Sequence, residues 1–259
     1  AGDLIGQGTT LTNLGAITWI RGEWQDATNY MHTAREQFLK GGNAPEAALA
    51  AYNLAEVLVC QGRADQAGTL LADALPVVRA ARWTEGVCDI ERQLGHVLIE
   101  QGRFEEADQL LERTAEAYAA LGQPDSELDA ILVRAAGRIA SGDVSGGWEL
   151  IDLIQGRLKG DPGMLGPRIA LLRAIALAQQ ARFREAAEEC ANGRAAAQSY
   201  ELPYENALLS RLWLSLPGAG PESATERDSL ASSAKVLEDL GVEQTPRSYT
   251  WRPTERLSA

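Results

Sequence analysis

Leu94-Gly95-His96-Val97-Leu98-Ile99-Glu100-Gln101-Gly102-Arg103-Phe104-Glu105-Glu106-Ala107 is the stretch that decides how this chain folds. Before the Gln-Gly-Arg turn, Leu94, Val97 and Leu98 step by three and four. After it Phe104, Ala107, Leu110, Leu111, Thr114 and Tyr118 do the same, so each half gathers its apolar side chains on one helical face. The glycine between them stops the first helix. The spacing predicts two antiparallel helices joined by a tight turn. Forty residues earlier the pattern is already present, with Leu54, Val57 and Leu58 before the turn and Ala64, Ala67, Leu70, Leu71, Ala74 and Val78 after it.

Small residues mark the register along the chain. Gly22 with Ala27, Gly62 with Ala67, Gly102 with Ala107, Gly142 with Gly147, and Ala181 with Ala186 recur at intervals of 40, 40, 40 and 39. Gly15, Ala55, Gly95, Ala135 and Ala174 precede the turns, so each unit carries two small positions where its helices are expected to cross. Predicted helices cover 9–21 and 24–40, 45–61 and 64–81, 85–101 and 104–121, 125–141 and 144–159, and 167–180 and 183–199. Gly41-Gly42, Gly122 and Gly160 sit where second helices should stop, and Pro45, Pro124, Pro167 and Pro203 where the next pair should begin. A degenerate sixth pair is expected at 203–216 and 225–240, its second helix opened by a Ser223/Glu226 capping box. The expected organisation is a five-unit repeat array over 1–202, a capping helix pair over 203–241 and an irregular tail over 242–259. No alternating run of useful length suggests a strand.

Composition narrows the function classes. The 259 residues hold 36 Asp plus Glu against 24 Lys plus Arg, a formal charge of −12 that argues against a broad phosphate-binding surface and hence against nucleic acid, while leaving room for a local basic patch. No apolar run approaches membrane-spanning length, and Ala1-Gly2-Asp3 does not open a signal peptide. Cys60, Cys88 and Cys190 are an odd, scattered set, as expected of reduced thiols in a cytoplasmic protein. Two histidines, His32 and His96, are too few for a histidine-rich metal site. The chain has no initiator Met and opens almost directly into the repeat, which suggests a piece of a longer polypeptide.

The repeat resembles the tetratricopeptide repeat (TPR). Leu11-x2-Leu14-Gly15-x2-Thr18 leads to Trp24, Ala27 and Met31; Leu54-Ala55-x2-Leu58 leads to Ala67 and Leu71; Leu94-Gly95-x2-Leu98 leads to Phe104, Ala107 and Leu111. The resemblance covers about residues 9–199 and implies an all-α, right-handed superhelical solenoid of antiparallel helix pairs. Its period near 40 rather than 34 implies longer second helices, and the fourth unit departs from the pattern with Arg134 at a Leu position and Gly147 at an Ala position. Long-period arrays of this type ending like Ala234-Lys235-Val236-Leu237-Glu238-Asp239-Leu240-Gly241-Val242 are similar to the C-terminal regions of large bacterial signalling proteins. Those carry a nucleotide cyclase, an ATPase or a DNA-binding regulator elsewhere in the chain.

The same resemblance implies that first helices line a concave, peptide-binding wall. By register its exposed positions are Thr12, Ala16 and Trp19; Leu49, Tyr52, Glu56 and Val59; Asp89, Arg92, His96 and Ile99; Asp129, Leu132 and Ala136; Arg168, Leu171 and Ile175, with the amides Asn13, Asn53 and Gln93 beside them. The binding residues expected from this mapping are Asn13, Tyr52, Asn53, Glu56, Asp89, Arg92, Gln93, His96 and Asp129. Only Asn53 matches the Lys and Asn clamp of chaperone-binding relatives, so the expected partner is not an acidic terminus. It is a neutral or basic protein segment, or a neighbouring domain of the same polypeptide, with no cofactor, metal or membrane involved. No phosphate loop, His-Glu-x-x-His or Cys-x-x-Cys occurs, so catalysis is not expected. The alternative is an enzyme or small-ligand site in the groove around Cys60 and His96, although Cys60 ends the apolar run Val57-Leu58-Val59 and reads as a packing residue. Glu105-Glu106 and Glu188-Glu189 read as helix-start or solvent-face carboxylates, and Trp83, Trp148 and Trp213 as packing residues.

Overall fold

A computed structural model of the chain describes residues 2–158, 160–221 and 223–251. Among them are twelve α-helices and no strand. They are α1 (Leu4–Ile20), α2 (Trp24–Lys40), α3 (Ala44–Cys60), α4 (Ala64–Ala80), α5 (Thr84–Glu100), α6 (Phe104–Ala120), α7 (Pro124–Ser141), α8 (Val144–Arg157), α9 (Leu165–Gln179), α10 (Phe183–Ser199), α11 (Pro203–Ser215) and α12 (Ala224–Asp239). One 3-10 turn, Arg247–Tyr249, follows. Consecutive helices pack as a TPR-like stack, and the all-α solenoid expected from the repeat is the fold.

The period has a local cause. Each helix from α1 to α6 has 17 residues and is followed by a three-residue turn, so a pair with its turns fills the 40-residue repeat. In these three pairs first and second helices are equal in length; the second helix is the longer one, as expected, in α9–α10 (15 and 17 residues) and α11–α12 (13 and 16), and the shorter one in α7–α8 (18 and 14). After α3, the Arg63 N–H donates to Leu58 O at 2.8 Å and the Gly62 N–H to Val59 O at 2.9 Å, the two bonds that close a helix through a left-handed residue. The same pair of bonds ends α1, α2, α4, α5, α6, α9 and α10. Arg82, Ala181 and Glu201 take the left-handed conformation where the other turns use glycine, with φ of 56°, 60° and 54°.

The small positions are where helices meet. A Cβ on Gly95 would lie 2.5 Å from Leu111 Cδ2, and one on Gly147 2.4 Å from Ile139 Cγ1. Ala27, Ala67, Ala107 and Ala186 are buried. Helix α1 begins five residues before its expected start, because the Asp3 carboxylate accepts the Gly6 N–H at 2.9 Å and caps it. Ser223 Oγ accepts the Glu226 N–H at 3.0 Å, the capping bond read from the sequence.

Contacts divide the chain into two compact units, Ala1–Arg134 with Leu240–Pro246, and Ala135–Asp239 with Arg247–Ala259. In the first unit, Gln61 Nε2 donates to Leu240 O at 2.9 Å, the Glu243 N–H donates to Gln61 O at 3.0 Å, and Arg63 pairs with the Glu243 carboxylate. Residues 240–246 thereby form a strap on the α3–α4 turn. In the second unit Phe183 and Trp251 meet edge to face at 5.9 Å. The remainder of the expected tail, 252–259, lies outside the described residues.

Candidate functional site

Three first helices of the first unit bring polar side chains together. Tyr52 on α3 and Arg92 on α5 occupy the same repeat position, and Asp129 on α7 lies one turn before the next. Arg92 donates one guanidinium N–H to the Tyr52 hydroxyl and another to the Asp129 carboxylate, with its Cζ 5.8 Å from the Tyr52 ring centre. One turn earlier on α5, the Tyr118 hydroxyl of α6 donates to Asp89 Oδ1 at 2.6 Å. Neighbouring residues of α5 thus connect it to the first helices on both sides and to its own pair partner.

Burial sets the electrostatics. Tyr52 is buried, and desolvation pushes its hydroxyl far above the usual phenol range, Arg92 opposing and Glu56, Asp89 and Asp129 adding to the rise. Tyr118 is raised likewise by burial. The Asp89 carboxyl is raised by burial, against the pull of the Tyr118 hydrogen bond and Arg92. For Arg92, burial acts to lower the value, but the fields of Tyr52, Asp129 and Glu56 together outweigh it and hold the charge firmly.

The expected wall is therefore only partly open. Asn13 is exposed, Asn53, Glu56, Asp89, Arg92 and Asp129 are half-buried, and Tyr52, Gln93 and His96 are buried. Val59, Ile99, Leu132, Ala136, Leu171 and Ile175, expected to be exposed, are buried as well. The reason is that first helices pack on one another: α3 touches α5 in addition to α2 and α4, and α9 touches α11. With alanine at 47, 48, 50, 51 and 55, α3 is thin enough to be surrounded. Gln93 is 1% exposed, and neither polar atom of its amide has a hydrogen-bond partner among the described residues.

Cys60 and His96 are not at one level of the wall: His96 matches Glu56 in the repeat, one helical turn before Cys60. Burial is the chief cause that pushes the other two thiols up, Cys88 to about 11 and Cys190 to about 12, which disfavours the thiolate. No group of three or more metal-ligating side chains occurs among the described residues. No helix among them is long and apolar enough to cross a membrane.

Two pairings were not anticipated from the sequence. Arg134, at its atypical position on α7, reaches Asp108 at 2.8 and 3.0 Å and Glu112 at 2.8 Å on α6. The signal was there, since an arginine in place of a core leucine calls for acids on the preceding helix. In the second unit Glu189, expected on a solvent face, instead pairs with Arg173 of α9 at 2.7 Å, because α10 turns that edge toward α9. Arg173 also stacks 5.5 Å over Trp148 and, with Glu189, lines two depressions of about 290 and 470 Å³, neither of them lined by Cys60 or His96.

No curated protein matches the chain. Over residues 2–248, a span that takes in the sixth pair and the strap, the sequence matches the MalT-like TPR region, and the chain belongs to that family.

Proposed function

We propose that this chain is a non-catalytic, cytoplasmic binding module of a larger bacterial regulator, and that its first unit holds a neutral or basic protein segment or a neighbouring domain of its own polypeptide. The observation that carries the reading is the charge balance at the polar seam. Three carboxylates, Glu56, Asp89 and Asp129, act on the Tyr52 hydroxyl against the single guanidinium of Arg92. A segment bringing lysine, arginine or free amide groups offsets that surplus, whereas an acidic one adds to it. Arg92 and Tyr52 act as positioning residues, and Asn13, Asn53 and Glu56 offer the polar edge.

Peptide arrays graded from acidic to basic, probed with the purified chain, test this. Binding is expected for basic and neutral members, and Glu56→Gln should weaken basic ones several-fold while circular dichroism shows the helical fold retained. Equal binding of acidic members, or indifference to Glu56→Gln, would sink the reading. The alternative of an enzyme or small-ligand site at Cys60 and His96 gains no support from their placement on different turns.

A further inference from the structure

Three turns of the repeat carry the same pair of polar side chains: Gln61 and Arg63 between α3 and α4, Gln101 and Arg103 between α5 and α6, and Gln180 and Arg182 between α9 and α10. At the α5–α6 turn the array supplies the partners itself. Gln101 Nε2 donates to Asp65 Oδ1 at 3.1 Å, and Arg103 holds Glu106, three residues on, through bonds of 2.8 and 2.6 Å. Arg182 holds Glu185 at the same spacing.

The α3–α4 turn lacks those partners. One repeat before Asp65 and Glu106 stand Gln25 and Gln66, so neither acid is present. Gln25 turns instead to Asn29, its Nε2 donating to Asn29 Oδ1 at 3.4 Å. The residue that opens the second helix differs as well, being Trp24, Phe104 and Phe183 on α2, α6 and α10 but Ala64 on α4. All three departures fall at the turn on which the strap lies. There Gln61 bonds to Leu240 O and to the Glu243 N–H, and Arg63 takes the Glu243 carboxylate as Arg103 takes that of Glu106. Gln61 and Arg63 are half-buried, whereas Gln101 and Arg103 are exposed.

The attachment is narrow. Both bonds to the strap backbone run through the one residue Gln61, and the ion pair is open to water, its side chains exposed by 35% at Arg63 and 62% at Glu243. The helix end does not depend on the strap: the Gln61 and Arg63 N–H groups already donate to Val57 O and Leu58 O at 3.0 and 2.8 Å. Lifting the strap leaves those bonds intact.

We propose that residues 240–246 are a reversible latch, which opens and closes on the α3–α4 turn while α3 and α4 stay folded, and that Arg63 holds it shut. A carboxylate that reaches Arg63 in place of Glu243 releases it. The latch shares no residue with the polar seam, and its failure leaves the reading of the seam standing.

Gln66→Glu in the full chain tests this, because it gives Arg63 the acid that Arg103 has in Glu106. A carboxylate in the first turn of α4 also suits the helix dipole, so the fold is retained. Hydrogen exchange at the Glu243 amide, followed by NMR, should speed at least threefold in this variant, and likewise in the parent at about 1 M salt, while the Gln61 and Arg63 amides keep their protection. Gln66→Ala, which brings no charge, should leave the Glu243 amide as in the parent. Unchanged exchange in Gln66→Glu, an equal effect of Gln66→Ala, or acceleration that spreads to the Gln61 and Arg63 amides overturns the proposal.

Discussion

Asp89 shows how one buried side chain sets a pH response. Its folded value is raised by burial, so its contribution to stability is fully present below the ordinary aspartate value and is lost as pH rises through the raised folded value. At neutral pH the ionised carboxylate is a cost. Asp89→Asn keeps an acceptor for the Tyr118 hydroxyl and removes that cost, so thermal melts from pH 4 to 8 should show the variant gaining on the parent as pH rises; parallel curves would contradict the assignment. Backbone strain acts at the same scale. Ala181 sits at φ 60° with its side chain exposed, so Ala181→Gly should raise stability by about 0.5–1 kcal/mol in denaturant melts, the relief of left-handed strain exceeding the added freedom of the unfolded chain.

Between elements, small side chains fix how near two helices come. Ala107 on α6 is 1% exposed and stands in the register of Ala27 and Ala67 on α2 and α4. Replacing it with leucine forces α5 and α6 apart, which should cost about 1–3 kcal/mol, read as a fall in the denaturation midpoint. An unaltered midpoint would mean that the crossing lies elsewhere. Much of this level was legible beforehand, because periodicity of three and four and a glycine at the turn are properties of short stretches. The bounds of α11 and α12 fell within a residue of the reading for that reason, while the start of α1 was missed because it depends on one capping carboxylate, Asp3.

For the molecule as a whole, stacked repeats join each element mainly to its neighbours, and the strap breaks that rule by connecting residues about 180 apart. Gly62 has φ +82°, and a Cβ there would lie 2.4 Å from Gln244 O; Gly42 has φ +76° and nothing within 4 Å. Gly62→Ala should therefore destabilise the protein by at least about 1 kcal/mol more than Gly42→Ala, and should speed hydrogen exchange at the Glu243 amide that bonds to Gln61. Equal effects of the two variants would mean that the strap contributes nothing.

The sequence by itself determined the helices, their pairing and the forty-residue period, since each is written in the spacing of residues within a turn or two of one another. Tertiary structure alone decided that Tyr52, Gln93 and His96 are buried, that Arg92 joins Tyr52 to Asp129, and that residues 240–246 return to the α3–α4 turn. A polar side chain on a helix has the same local signature whether it meets water or another polar group. Only the packing of one first helix on the next chooses between them.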